Sequence, residues 1–125
     1  MKIILVIFLL GHAIAHLVGF VVPWKIAKLE EMPYSTKIFF TKIDLGEQGI
    51  RLYGILWLLA FCFFLVDGIL ILLGYDSWQM LVLISSLYSL ILTIFGLPLS
   101  KIGIVANVIL LLFLLISYNY IGFTF

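Results

Sequence analysis

Long apolar runs separated by brief polar breaks organise this chain. Ile3–Pro23, Ile50–Leu73, Trp78–Leu97 and Ile102–Tyr120 each approach the roughly 20 residues that a helix needs to cross the hydrocarbon core, where every backbone N–H and C=O must be paired within its own segment. A membrane β-barrel would alternate apolar with polar residues, whereas Ile69–Leu73 and Leu110–Leu115 are continuously apolar. The pattern predicts an all-α integral membrane protein, a four-helix antiparallel bundle forming a single domain over residues 1–125. The breaks at Gly74-Tyr75-Asp76-Ser77 and Leu99-Ser100-Lys101 are tight turns, which makes helices two and three, and three and four, antiparallel neighbours.

The one long polar break, residues 25–49, is too long for a bundle turn and too weakly charged for a disordered linker. Lys25–Met32 reads as a short amphipathic helix on the membrane surface, stopped by Pro33. Beyond it, Ile43-Asp44-Leu45 alternates like a strand and Gly46 ends it, so a small hairpin or a cap over the bundle mouth is expected.

Composition agrees with the pattern. Hydrophobic residues make up 66% of the chain, charged residues 10%, and the mean hydropathy is +1.35, more apolar surface than a soluble domain of this size can hide. The N-terminal Lys2 and the apolar run ending in Ala13-Ile14-Ala15 imitate a signal peptide. The run nevertheless continues through Val22, and a retained first helix is expected. Cys62 is the only cysteine, which excludes an intramolecular disulfide, a CxxC redox motif and a thiolate cluster.

With four spans, Lys2 stands on one side while Lys25, Lys28, Lys37, Lys42, Arg51 and Lys101 stand on the other. The positive-inside rule places that second side in the cytoplasm and both termini outside, in what reads as a bacterial cytoplasmic membrane. Such a lopsided distribution argues against dual-topology exporters and fluoride channels. There is no basic face for nucleic acid, no phosphate loop and no nucleophile elbow.

Candidate chemistry therefore rests on a few intramembrane polar side chains. His12 and His16 lie at i and i+4 on one face of the first helix, beside a small-residue stripe of Gly11, Ala15 and Gly19 that predicts close approach of another helix. Two readings of the pair stay open. In one, each ring ties helices together through an interhelical hydrogen bond; in the other, the pair transfers protons or holds a ligand. No metal site is expected, because only Ala13-Ile14-Ala15 separates the histidines and no third histidine, cysteine or glutamate accompanies them in the spans beyond the isolated Cys62.

Depth at about 1.5 Å per residue sets His16 level with Trp57, Thr93 and Asn107, with Arg51 at the boundary on the same side. These predict one cavity opening towards the first loop, lined by His16, Arg51, Trp57, Thr93 and Asn107 with His12 deeper beside it, near the bilayer centre, and with Pro33-Tyr34-Ser35 or residues 44–47 as its cover. Asp67 falls nearer the opposite face, level with Ser85 and Ser86, where those hydroxyls or interfacial water would satisfy it. Tyr75, Trp78, Gln79, Tyr118, Asn119 and Tyr120 read as an interfacial belt.

Five stretches, Gly11-His12-x3-His16-x2-Gly19-Phe20, Met32-Pro33-Tyr34-Ser35, Ile43–Arg51, Gly54–Leu59 and Lys101-Ile102-Gly103-Ile104-x2-Asn107, together resemble an uncharacterised family of small bacterial four-helix membrane proteins. The resemblance spans nearly the whole chain. Proteins of this kind carry permease or DoxX-like labels, neither of which supplies a catalytic motif. What the resemblance implies is a shared architecture with marked positions at His12, His16, Pro33, Tyr34, Gly46, Gly49, Arg51, Trp57 and Asn107; Asp67 matches none of them.

Three classes of function follow from these residues. The first is a binding or transport module that receives a small lipophilic molecule, such as a quinone, isoprenoid or sterol-like lipid, beside the histidine pair. The second is an accessory subunit packed in a homo-oligomer or larger membrane complex. The third is a membrane enzyme with a histidine as general acid or base, which needs a second polarising group such as Arg51, Tyr34 or Asn107. No catalytic residue and no cofactor is identified by the sequence.

Overall fold

The chain folds, in a computed structural model describing residues 2–121, into four helices, α1 (Lys2–Val21), α2 (Gly46–Leu72), α3 (Trp78–Phe95) and α4 (Lys101–Ile121). A two-stranded antiparallel hairpin, β1 (Lys37–Ile38) and β2 (Ile43–Asp44), stands between α1 and α2. All four helices are long and apolar enough to cross a membrane, and each packs against its neighbour in sequence. The protein is an all-α membrane protein.

Leu9 of α1, Phe64 of α2, Val82 of α3 and Leu110 of α4 meet in the half of the bundle nearer the N-terminus. Trp78, expected in the interfacial belt, turns inward and joins this core; its large ring buries more apolar area there than it would at the interface. Tyr75 and Tyr118 are exposed, as a belt requires, whereas the side chains of Asn119 and Tyr120 lie outside the described residues. On the loop side a second, smaller cluster joins Trp57 and Ala60 to Leu92. Tyr53 Oη donates to the Leu92 carbonyl at 2.6 Å and Tyr88 Oη to the Leu56 carbonyl at 2.9 Å, fastening α2 to α3 through otherwise apolar surfaces.

The small-residue stripe of α1 is not the contact face. Gly11 and Ala15 are exposed, and a Cβ added at Gly11 would touch nothing. Instead the helix is rotated so that Leu9, His12, Ala13, His16 and Gly19 face protein. Leaving two imidazoles in lipid costs more than leaving a small-residue stripe there, and that difference sets the rotation. Gly19 alone of the stripe makes the close approach: a Cβ there would lie 2.3 Å from the Trp57 ring.

The loop also departs from expectation. Lys25–Met32 forms no helix; α1 ends in a reversal with Lys25 in the left-handed region (φ 57°), Lys25 N–H bonded to the Val22 carbonyl and Ile26 N–H to the Val21 carbonyl. This pattern of bonds is a Schellman stop with lysine where glycine is usual. It turns the chain away, and the segment left before Pro33 is too short to hold a helix without tertiary support; an isolated bridge joins Leu29 to Met32. The expected hairpin is present. Its bend runs through three left-handed residues, Phe39, Phe40 and Thr41, and docks on the turn after α3, where Phe39 N–H reaches the Phe95 carbonyl at 2.8 Å and Phe40 N–H the Leu97 carbonyl at 2.9 Å. Those carbonyls at the helix end have no intrahelical donor, so the loop closes the bundle by satisfying them.

Helix α2 begins at Gly46, earlier than the apolar run starting at Ile50. Asp44 Oδ1 accepts both the Thr36 hydroxyl at 2.8 Å and the Gly46 N–H at 3.0 Å, which holds the first turn, and Glu47 lies there where the helix dipole favours a negative charge. These bonds, the Gly46 amide first and the Thr36 hydroxyl second, hold the Asp44 carboxyl below its ordinary value.

Candidate functional site

One helical turn separates His12 from His16, and the first consequence is that the two rings meet edge-on, with centroids 4.6 Å apart. Phe64 of α2 packs across both, at 4.7 and 5.4 Å, so the pair is shut off from lipid: His12 is 7% and His16 1% exposed. Buried imidazoles need partners, and α3 and α4 supply them. His12 Nε2 lies 2.9 Å from Asn107 Oδ1, Asn107 Nδ2 donates to Ser89 Oγ at 2.9 Å, and Ser89 Oγ lies 2.6 Å from His16 Nε2. His16 Nδ1 closes the circuit on the His12 carbonyl at 2.7 Å.

The direction of each bond follows from what each atom is able to do. A carbonyl only accepts, so His16 Nδ1 carries the proton; Nε2 of the neutral ring then accepts from the Ser89 hydroxyl. Ser89 Oγ accepts from the Asn107 amide, leaving Asn107 Oδ1 to accept from His12 Nε2–H. One set of neutral tautomers is consistent with every bond in the circuit. Thr93 lies alongside, its hydroxyl 2.9 Å from the carbonyls of Ser89 and Leu90, with Asn107 Nδ2 at 3.5 Å. Ser100 in turn donates to the Thr93 carbonyl. Gly103 permits this crowding, since a Cβ there would lie 2.8 Å from Thr93.

Above the network, towards the loop, lies a cavity of about 380 Å³. Trp57 is its floor. Gly19, Ile50 and Tyr53 line the helical wall, Gly96–Leu99 the far wall, and Met32, Pro33, Ser35 and Lys37 the loop side. The Trp57 ring lies 5.1 Å from the His16 ring, so one side chain separates the cavity from the histidines.

The structure thus divides the residues that depth had grouped. His12, His16, Thr93 and Asn107 form the sealed polar network, Trp57 faces both network and cavity, and Pro33 and Ser35 belong to the cover. Tyr34 and Arg51 lie elsewhere. Lys25 Nζ sits 4.8 Å above the Tyr34 ring, and the Arg51 guanidinium lies 5.6 Å from the Trp24 ring, whose Nε1–H donates to the Arg51 carbonyl at 2.9 Å. Residues 44–47 do not line the cavity; they end β2 and start α2. Comparison of the chain with known protein families, curated proteins and solved structures returned no match.

Ser89, the hub of the network, was not singled out by the sequence. The signal that finds it is spacing, because Ser86, Ser89 and Thr93 recur at three and four residues along α3 and so share one face. Asp67, Ser85 and Ser86 are all buried, and the Asp67 carboxyl is hydrogen-bonded to Ser85. Its Oδ2 and the Ser86 Oγ have no hydrogen-bond partner among the described residues. Among the described residues no three His, Cys, Asp or Glu side chains stand close enough to share a metal ion.

Proposed function

We propose that this membrane protein binds a small lipophilic molecule in the cavity between the hairpin loop and the loop-side ends of its helices. The observation that carries the reading is the cavity itself: about 380 Å³, walled almost wholly by apolar side chains, and covered by a loop pinned to the α3–α4 turn. Its volume falls in the range of small-molecule sites, and such sites combine an apolar wall with a few polar groups. Here those groups are Ser35, Lys37 and Thr41 at the cover. The loop side, with its six basic residues, faces the cytoplasm. On this reading the histidine network holds Trp57 and three helices in register beneath the ligand, and acid–base chemistry is not assigned to it, because Ser89 and His16 are sealed under the indole.

Mass spectrometry of lipids co-purifying with the protein tests this. Met32→Trp, which fills the cavity from its loop wall, should abolish a co-purifying lipid without unfolding the bundle. Equal retention in the wild type and the filled variant would remove the cavity as the binding site.

A second reading, an accessory subunit held by interhelical bonds, is favoured by the continuous chain of bonds through His12, Asn107, Ser89 and His16. His16→Asn distinguishes the two. It keeps a hydrogen-bonding side chain while removing the imidazole. If Trp57 must be held by His16 for binding, lipid occupancy falls while the protein remains folded; an unchanged occupancy assigns His16 to the tie between helices alone.

A further inference from the structure

Beside the cavity, on the outer side of the loop, lies a second hollow of about 620 Å³. The two hollows adjoin, with Val22 and Pro33 lining both. Both linings carry lysine: the second has Lys25 and Lys28 with Glu30, and Lys37 stands at the cover of the first. Among the described residues neither Lys25 nor Lys28 has an ion pair, and Lys25 is placed over the Tyr34 ring. An apolar chamber inside the bundle thus adjoins a hollow whose two lysines outnumber its single glutamate where α1 leaves the membrane.

The backbone marks Lys25 independently. It occupies the left-handed C-cap position that glycine fills at least cost, and a residue with a Cβ is strained there. A lysine held in that conformation projects its ammonium over Tyr34 at the rim of the hollow. Strain retained at a ligand rim is a mark of a side chain that is needed for more than folding.

We infer that the occupant is an anionic amphiphile, a single-chain lipophile ending in a phosphate, whose chain enters the apolar cavity and whose headgroup is held by Lys25 and Lys28. This rests on the proposed cavity function and adds the headgroup class to it. Charge complementarity decides the class: a neutral quinone or sterol-like lipid leaves both ammonium groups unused, whereas a phosphate forms charge-assisted hydrogen bonds with them. Glu30, on the same rim, opposes the anion and limits its affinity.

The test uses the full chain in nanodiscs of zwitterionic lipid. Binding of dodecyl phosphate, dodecanol and inorganic phosphate is read by tryptophan emission, with Trp57→Phe as the control that removes the reporter on the cavity floor. Dodecyl phosphate should bind at least about tenfold more tightly than dodecanol, as expected for hydrogen bonds to a charged group. Lys25→Gly and Lys28→Ala should each erase most of that preference and leave dodecanol binding unchanged, while Glu30→Gln should increase it. Lys25→Gly relieves the left-handed strain, so its unfolding temperature should be equal to the wild type or higher, which separates lost affinity from lost folding. Equal affinity for dodecyl phosphate and dodecanol overturns the headgroup inference and leaves the cavity reading standing. Competition by inorganic phosphate as strong as that by dodecyl phosphate overturns the amphiphile in favour of a free anion. Absence of any emission change with either alkyl compound overturns both readings.

Discussion

Asn107→Leu is the sharpest perturbation of the polar network, because Asn107 is its link to α4 and is fully buried. Leucine has the same number of side-chain heavy atoms and the same branching, so no cavity is left. What is lost is the acceptor for His12 Nε2–H, 2.9 Å away, and the donor to Ser89 Oγ. A buried donor left without an acceptor costs about 1–3 kcal/mol, and an ordinary interhelical hydrogen bond in a membrane protein about 0.6 kcal/mol. The expected destabilisation is about 2–4 kcal/mol. His12→Leu should also destabilise, and the double variant should cost less than the two single ones added, by about 1–2 kcal/mol, because it removes donor and acceptor together. Reversible unfolding in mixed micelles, followed by circular dichroism, measures all three. A neutral or stabilising Asn107→Leu, or a strictly additive cycle, would refute the claim that the closed circuit holds α4 to α1.

Gly19→Ala should displace the Trp57 ring, since the new methyl would lie 2.3 Å from it; a loss of about 1–3 kcal/mol from overpacking and a shifted tryptophan emission are expected, and an unchanged spectrum would deny the contact. Thr41→Gly should stabilise the hairpin by about 1–2 kcal/mol, the cost of a left-handed residue with a side chain, because Thr41 sits at φ 61°; slower proteolysis of the loop reports it. Asp44 predicts an acid-sensitive loop. Its carboxyl is lowered in the folded chain by the Gly46 amide and Thr36, so its contribution is complete above the ordinary value of 3.8 and is lost as pH falls through the folded value. Protection of the Gly46 amide against hydrogen exchange, relative to the unstructured rate at each pH, should fall across that acid range in the wild type, and Asp44→Asn should remove this pH dependence of the protection.

The four spans were legible because lipid imposes a single rule, backbone pairing within the segment, and long apolar runs are its direct imprint. The facing of α1 was legible only in part. Helical spacing put His12 and His16 on one face and Gly11, Ala15 and Gly19 on the adjoining one, yet periodicity alone does not rank the two faces. The cost of exposing imidazole ranks them, and it turns Gly11 and Ala15 outward. The loop resisted for a different reason. Its path depends on four non-glycine residues in left-handed conformations, Lys25, Phe39, Phe40 and Thr41, none of which has a residue type that announces such a conformation. Depth puts Arg51 at the mouth but says nothing of azimuth, and loop position puts Tyr34 in the cover but says nothing of its facing; both have cation–aromatic partners outside the cavity.

Trp57 is where the two halves of the site meet, and packing explains why it can couple them. One side of its ring forms the cavity floor, and the other lies against His16, whose own orientation is fixed at both nitrogens. Gly19 leaves no slack beneath the indole, and Tyr53 stands edge-on to it at 6.1 Å while fastened to α3. A ring so bounded cannot yield to an incoming molecule by small continuous shifts; densely packed interiors change between discrete arrangements. A ligand that fits above the indole therefore leaves the network as it is. One that needs more depth must move Trp57, and with it break the His16–Ser89 contact that joins α1 to α3. The network consequently sets the depth of the cavity as well as the registry of the helices, and its polar residues are placed where lipid makes a lost hydrogen bond most costly.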